Sequence, residues 1–281
     1  MAVLTPTYAV VGGLNLSNIE ASGVTWVLQS VQGWGAPHGT LKPEQKPRQA
    51  GAWAGDSFSA GRSIVLTGAV YAPTAALASD ALDRLIVAAG LPATPFVMVE
   101  SGRSRTTTVR RDGDVIETWL NQQAFTYSVQ LFAPDPRKFG TAQTGVTNLP
   151  TTSGGSQWPE QWPEVWSATT VSGTVSLTNS GLENGPVVLR VDGPVVGPFI
   201  THTGASGVAT FASSLTLGVG EWVSIDMEKR TFYANGTASR SSTVTSRTWS
   251  QFEPGLNAWT FGAVAYNSSA QLTVTATPAW K

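Results

Sequence analysis

The chain has 281 residues, enough for one large β domain or two ordinary domains. Apolar residues make up 41% and charged residues 12%, about half the usual share of roughly 25%, with a net charge of −1. So sparse and balanced a charge excludes the basic footprint of specific nucleic-acid binding or of an anionic membrane surface, and the absence of cysteine excludes disulfides and thiolate metal sites.

Met1 to Pro6 carry neither a basic nor an apolar leader pattern, so no secretory signal is expected. No apolar window approaches about 18 residues, so no membrane span is expected. Gly and Pro punctuate the chain every few residues, and the runs between them are rich in Val, Thr, Ile and aromatics. That pattern predicts a mainly β protein. Val24 to Val31 reads as a strand. Ser63 to Ala72 reads as another, with Ile64, Leu66 and Val70 on one face and Val65, Thr67 and Tyr71 on the other.

One segment breaks the pattern. Residues 74–89 read as a helix, capped by Thr74 and ended by Gly90, with Pro92 beyond. Leu77, Ala81, Leu82, Leu85 and Ile86 form its apolar stripe, and Asp80 and Arg84 are spaced to pair one turn apart. Phe96 to Glu100 and Thr106 to Arg111 follow as strands around a Ser101-Gly102 turn. Asp112-Gly113 then reads as a hairpin turn, followed by strands from Val115 to Leu120 and from Ala124 to Phe132.

Beyond Pro134-Asp135-Pro136 the chain becomes small and polar, then rich in Trp and Pro: Gly154-Gly155-Ser156-Gln157-Trp158-Pro159-Glu160-Gln161-Trp162-Pro163. The second half has no helical periodicity. Short strands are expected at Gly173–Thr178, Pro186–Val191, Phe199–Thr203, Val208–Phe211, Trp222–Met227, Arg230–Ala234, Trp259–Ala265 and Gln271–Thr277. Strands at this spacing argue for a β-sandwich. The predicted organisation is an N-terminal β domain over 1–143, a Trp/Pro-rich connector over 144–166, and a C-terminal β-sandwich over 167–281.

Catalytic patterns are not found. His38 sits in a Gly-Ala-Pro-His-Gly loop and His202 in a strand, neither in a metal-ligand spacing. Gly33 to Gly39 is superficially a phosphate loop, but its glycine spacing is wrong, Pro37 removes an N–H, and no helix opens there. Asp192, Glu221, Asp226 and Glu228 are the main carboxylates of the second half, and they read as turn residues. No enzyme, cofactor or metal site is expected.

Two groups remain as candidate contacts with subunits or partners. Arg103, Arg105, Arg110 and Arg111 form the densest positive patch, read either as a contact strip or as a solvated hairpin arm. Trp158, Trp162 and Trp166 recur every four residues, but Pro159 and Pro163 argue against a helix. An extended strap docking its indoles fits better than a sugar-stacking platform.

Several motifs together resemble the distal tail (minor tail) proteins of long-tailed bacteriophages, of the actinobacteriophage type. Phe132 to Phe139 resembles the strand and Asp-Pro-Arg turn that end the family's first domain, and Gly154 to Pro163 resembles its Trp-Pro linker. Pro186 to Ile200, Gly220 to Asp226, Arg230 to Gly236 with Arg240, and Phe252 to Asn257 resemble successive segments of its second domain. The resemblance implies a tail-tube-like N-terminal domain with one helix and a galectin-like C-terminal sandwich. It implies a structural hub, a homo-oligomeric ring of six at the virion tail tip, assembled in the host cytoplasm. The implied partners are the tail tube protein and the tail-tip or baseplate hub protein, with a tape measure or receptor-binding protein beyond them. The alternative reading is a carbohydrate-binding protein for host recognition.

Overall fold

The computed structural model describes residues 8–153, 169–171, 173–265 and 267–281. The protein is mainly β, and its chain divides into two compact units with the boundary between Gly140 and Thr141.

The first unit contains β1 (Tyr8–Val11), β2 (Leu14–Asn15), β3 (Thr25–Gln32), β4 (Gly39–Gln45), β5 (Ala52–Ser59), β6 (Arg62–Tyr71), α1 (Ala75–Ala88), β7 (Thr94–Glu100), β8 (Arg103–Asn121) and β9 (Ala124–Ala133). β4 and β5 pair only with each other, and the rest form an antiparallel sheet ordered β2-β1-β7-β8-β9-β6-β3. The alternation expected of β6 holds, with Ile64, Leu66 and Val70 buried and Tyr71 exposed. Ser101 and Gly102 both take positive φ, as a tight two-residue hairpin turn requires, and they join β7 to β8.

β8 differs from expectation. Asp112-Gly113 is not a hairpin turn, because β8 continues through it. Residues 112–114 bulge out opposite the single residue Gln130, between the pairs Arg111–Leu131 and Val115–Val129. Gly113 takes φ +88°, and the Gln130 amide donates to Asp112 at 3.2 Å across the bulge. The dipeptide thus accommodates extra residues in β8 without ending the ladder. β8 therefore pairs with β7 through Arg103–Val109 and with β9 from Arg110 onward.

The helix begins where expected, with the Leu77 N–H donating to Thr74 Oγ1 at 3.3 Å. Its buried face is Ala78, Ala81, Leu85 and Ala88, rotated from the expected stripe, and Ile86 is exposed. Alanines let the helix lie close to the sheet, so the larger side chains flank the contact. Arg84 pairs with Glu20 at 2.8 Å, a partner outside the helix, in place of the expected Asp80. Glu20 also accepts from the Trp26 indole at 2.8 Å.

In the second unit Gln143–Asn148, Gln271–Ala276, Val187–Asp192, Trp222–Asp226, Thr231–Ala234 and Ala238–Ser239 form one sheet in that order. A second sheet runs Thr174–Asn179, Gly255–Ala265, Val195–Gly204, Gly207–Ser213, Val244–Arg247. One apolar core joins both sheets, with Phe211 of one against Phe232 of the other at 5.5 Å, which makes the unit a β-sandwich. Gln143–Asn148, which spans the expected boundary at 143 and the start of the expected connector, is a strand of this sandwich. Its small polar residues hide the pattern: Gly145 is needed where a Cβ would meet Val175, and the buried anchor is Leu149 just after the strand.

Candidate assembly surfaces

The limb β8-β9-β6-β3 of the first sheet has one buried face and one open face. Val65, Thr67, Ser128, Gln130 and Thr126 fall on the open face by register, joined by Ser30, which bonds Thr67 at 2.7 Å. This face is rich in hydroxyls and amides. Among the described residues, the outer edge of β8 beyond Arg110 and the outer edge of β3 beyond Val27 have no strand partner. The β8 edge carries Ile116 at 62% exposure, with Trp119 and Leu120 also exposed. Unpaired edges flanked by apolar side chains are surfaces on which another chain can pair.

β4 and β5 form a ribbon with every residue exposed. The pairs Leu41–Ser57 and Pro43–Ala54 show one extra residue on β5. That bulge shifts the alternation, so Trp53 opposite Glu44 and Phe58 opposite Thr40 emerge from one face, 55% and 68% exposed. An isolated two-stranded ribbon is marginal in water, so an aromatic face on it argues for a partner.

The base of the ribbon is held by Arg62, which is 1% exposed. Its Nη1 donates to the carbonyls of Gly33 (2.9 Å), Trp34 (2.8 Å) and Gly35 (2.6 Å), and its Nη2 to the carbonyl of Pro136 (2.8 Å). The Gly33 loop thus presents carbonyls to a cation, the reverse of a phosphate loop. Gly33 takes φ +79° and lies so close to the Ser63 carbonyl that no Cβ fits. Lys138 lies over the Trp34 ring at 5.0 Å, and Trp34 donates to Glu100 at 3.1 Å. Burial, with Arg62 and Arg105 nearby, pulls the Lys138 ammonium down to about 8, while Glu100 pulls the other way. His38 contributes its carbonyl to the Ala60 N–H at 2.8 Å at the same base.

The four arginines do not form one strip. By the alternation of β8, Arg103, Arg105 and Arg111 share one face and Arg110 takes the other. Arg110 is exposed, whereas Arg111 is half-buried and its Nε is a buried atom with no bond among the described residues. Trp158, Trp162 and Trp166 lie outside the described residues. Sequence reasoning did not find Trp53, Phe58 or Ile116, although aromatics beside Pro, Gly and charged residues were the available signal.

The charged and Asn side chains near the segments that carry the resemblance hold turns. Arg137 folds back on Asp135 at 2.6 Å. Asp226 accepts from the N–H groups of Glu228 and Lys229 at 3.1 and 2.9 Å, and Glu221 accepts from the Gly218 N–H at 2.7 Å. Asp192 pairs with Arg190 at 2.7 Å. Asn235, at φ +49°, accepts from the Trp222 N–H at 3.0 Å. His202 is buried, stacked on Trp259 at 4.8 Å and bonded to Asn257 at 2.9 Å.

No family model and no curated protein matches the sequence. Solved structures do match. One is the Dit protein of phage SPP1, described as a paradigm of hub adsorption apparatus in Gram-positive infecting phages, at 11% identity and TM-score 0.68 over 99% of this chain and 100% of that one. A chain of the phage P2 baseplate in its activated conformation with calcium matches at 9% identity and TM-score 0.55, covering 96% of this chain and 97% of that one. The strontium form of that baseplate matches at 9% identity and TM-score 0.55, over 96% and 98%. At these identities the likeness is one of fold, and through both units the chain has the fold of the SPP1 Dit protein.

Proposed function

We propose that the protein is a structural component of a phage tail tip, a distal tail hub that closes into a ring of six and joins the tail tube to the tail-tip or baseplate proteins. The observation that carries this reading is the whole-length likeness of fold to the SPP1 hub protein. The ordered motifs from Phe132 to Asn257 point the same way. The first unit has the physical means. Its limb offers two different open edges, β8 and β3, and a contact between unlike surfaces makes a closed ring when the rotation between copies fits. In such a ring the hydroxyl- and amide-rich face of the limb lines a channel, and the low net charge limits repulsion among copies.

The tube protein above and the baseplate hub below, with a tape measure or receptor-binding protein beyond, are the partners in this reading. The site is the virion tail tip, after assembly in the host cytoplasm. In this reading the protein is not an enzyme, and Asp192, Glu221 and Asp226 are engaged in an ion pair and in turns. The test is electron microscopy of the purified full-length protein, with its mass in solution. Closed six-membered rings are the expected result, and a strict monomer at high concentration would sink the proposal.

A further inference from the structure

The second unit holds a polar cleft of about 310 Å³ that the hub role does not use. That size is at the lower end of the range of about 300–1,000 Å³ typical of small-ligand sites. It lies where the strand ending at Gly204 turns into the next and meets the loop Thr248–Glu253. Its lining mixes one carboxylate, one imidazole, two carboxamides, hydroxyls and an indole.

The polar groups are held in place by bonds beneath them. Asn257 is oriented by its own amide, whose Nδ2 donates to the carbonyls of Glu253 at 2.7 Å and Gly255 at 3.0 Å. Its Oδ1 therefore accepts, from the Glu253 N–H at 3.1 Å and from His202 Nε2 at 2.9 Å. That fixes the proton of the neutral His202 ring on Nε2 and leaves Nδ1 as an acceptor. His202 is 3% exposed, lines the cleft, and has no bond at Nδ1 among the described residues. Glu253 is gripped by Ser206, whose N–H donates to Oε2 at 2.7 Å and whose hydroxyl donates to Oε1. Burial works against its ionisation, but the Ser206 bonds and the nearby His202 outweigh it and hold the carboxyl below its usual value. Gly204 leaves room for both groups, since a Cβ there would meet the His202 ring and the Glu253 carboxylate.

The composition of the lining selects the ligand. No Lys or Arg lines the cleft, so no guanidinium or ammonium favours an anion over a neutral ligand, and the Glu253 carboxylate repels one. A single carboxylate is too few for a divalent cation, and no cluster of metal-ligating side chains occurs among the described residues. The fixed acceptors call for a ligand that donates hydrogen bonds, and at the rim the Asn184 amide donates to Gln251 Oε1 at 2.9 Å, which leaves the Gln251 amide N–H groups to donate. Trp249 is half-buried, backed by Phe211 at 5.4 Å, and offers an apolar wall. An uncharged ring with hydroxyls on its edge and C–H groups on its face satisfies all of these.

We infer that this cleft binds one neutral pyranose unit of a glycan. The cleft lies within the second unit, so it does not depend on ring formation. The test is saturation-transfer NMR of the full-length protein with methyl glycosides of galactose, glucose, rhamnose and N-acetylglucosamine, and with methyl glucuronide as the anionic probe. Transfer to at least one neutral glycoside is expected, with millimolar affinity. Gln251→Ala and Glu253→Gln should each weaken it at least about tenfold, with the melting temperature of Gln251→Ala, an exposed rim change, unaltered. No transfer to any neutral probe, transfer weakened by less than that in both variants, or tighter binding of the glucuronide would each overturn the inference.

Discussion

The phenol of Tyr127 covers the Cα of Gly68, its direct partner across the β6–β9 ladder. A Cβ at position 68 would run into the Tyr127 hydroxyl and into the Val27 carbonyl of β3. Because one obstacle is backbone, repacking the ring alone does not make room. Gly68→Ala is expected to cost about 2–3 kcal/mol, read by urea denaturation. The Tyr127 hydroxyl is itself buried without a bond among the described residues, and burial pushes its pKa upward. Tyr127→Phe removes that orphan group and should leave stability unchanged or raise it by about 1 kcal/mol. A clear loss would reveal a partner for the hydroxyl.

Lys138 gives a pH signature. Its folded value of about 8 lies below the ordinary 10.5. Between the two, the unfolded chain holds a proton that the folded chain has released, so stability rises with pH across that window. Below it both states are protonated and the penalty of the buried charge is constant. Lys138→Met is expected to raise stability at neutral pH by on the order of 1 to 3 kcal/mol and to flatten the alkaline rise. Melting temperatures of both proteins through the window check it. A variant that melts lower at neutral pH would show that the contact with Trp34 outweighs the burial cost.

Arg62 ties three successive carbonyls of the Gly33 loop to that of Pro136. Arg62→Met leaves those acceptors without their cation and should cost about 3 kcal/mol or more. The ribbon should loosen first. Limited proteolysis is expected to cut within residues 39–59 of the variant before the rest of the unit is attacked.

The open edge gives a test of assembly. Ile116→Lys puts a charge at an exposed position beside the unpaired edge of β8. In the proposed ring it should shift the solution mass from hexamer toward monomer with little change in melting temperature. Trp53→Ser, on the aromatic face of the ribbon, should weaken the ring if the ribbon reaches a neighbouring copy. Retention of the full ring by both variants would move the subunit contact elsewhere.

Alternation was legible wherever one face of a strand is buried and the other wet, as in β6 and in the strands of the sandwich. The β4–β5 ribbon was not legible, because it has no buried face to impose a pattern on Gly39–Gln45 and Ala52–Ser59. Asp112-Gly113 misled for a different reason. A bulge and a two-residue turn ask for the same positive φ, and only the ladder on either side tells them apart. The helix was found by its cap and period, but Leu77 and Ile86 outweighed Ala78 and Ala88 in the sequence, while close packing favoured the alanines. For the cleft, the single residues were visible and their meeting was not: His202, Ser206 and Glu253 come together through the pairing of distant strands.

β8 belongs to two ladders at once, with β7 along one stretch and β9 along the next. A slip of register in either would have to be carried into the other. The bulge at residues 112–114 is a place along β8 where three residues already loop out opposite a single partner, Gln130. It is therefore a natural site for lengthening the chain, and a short peptide tag inserted after Gly113 should be displayed while both ladders keep their alignment.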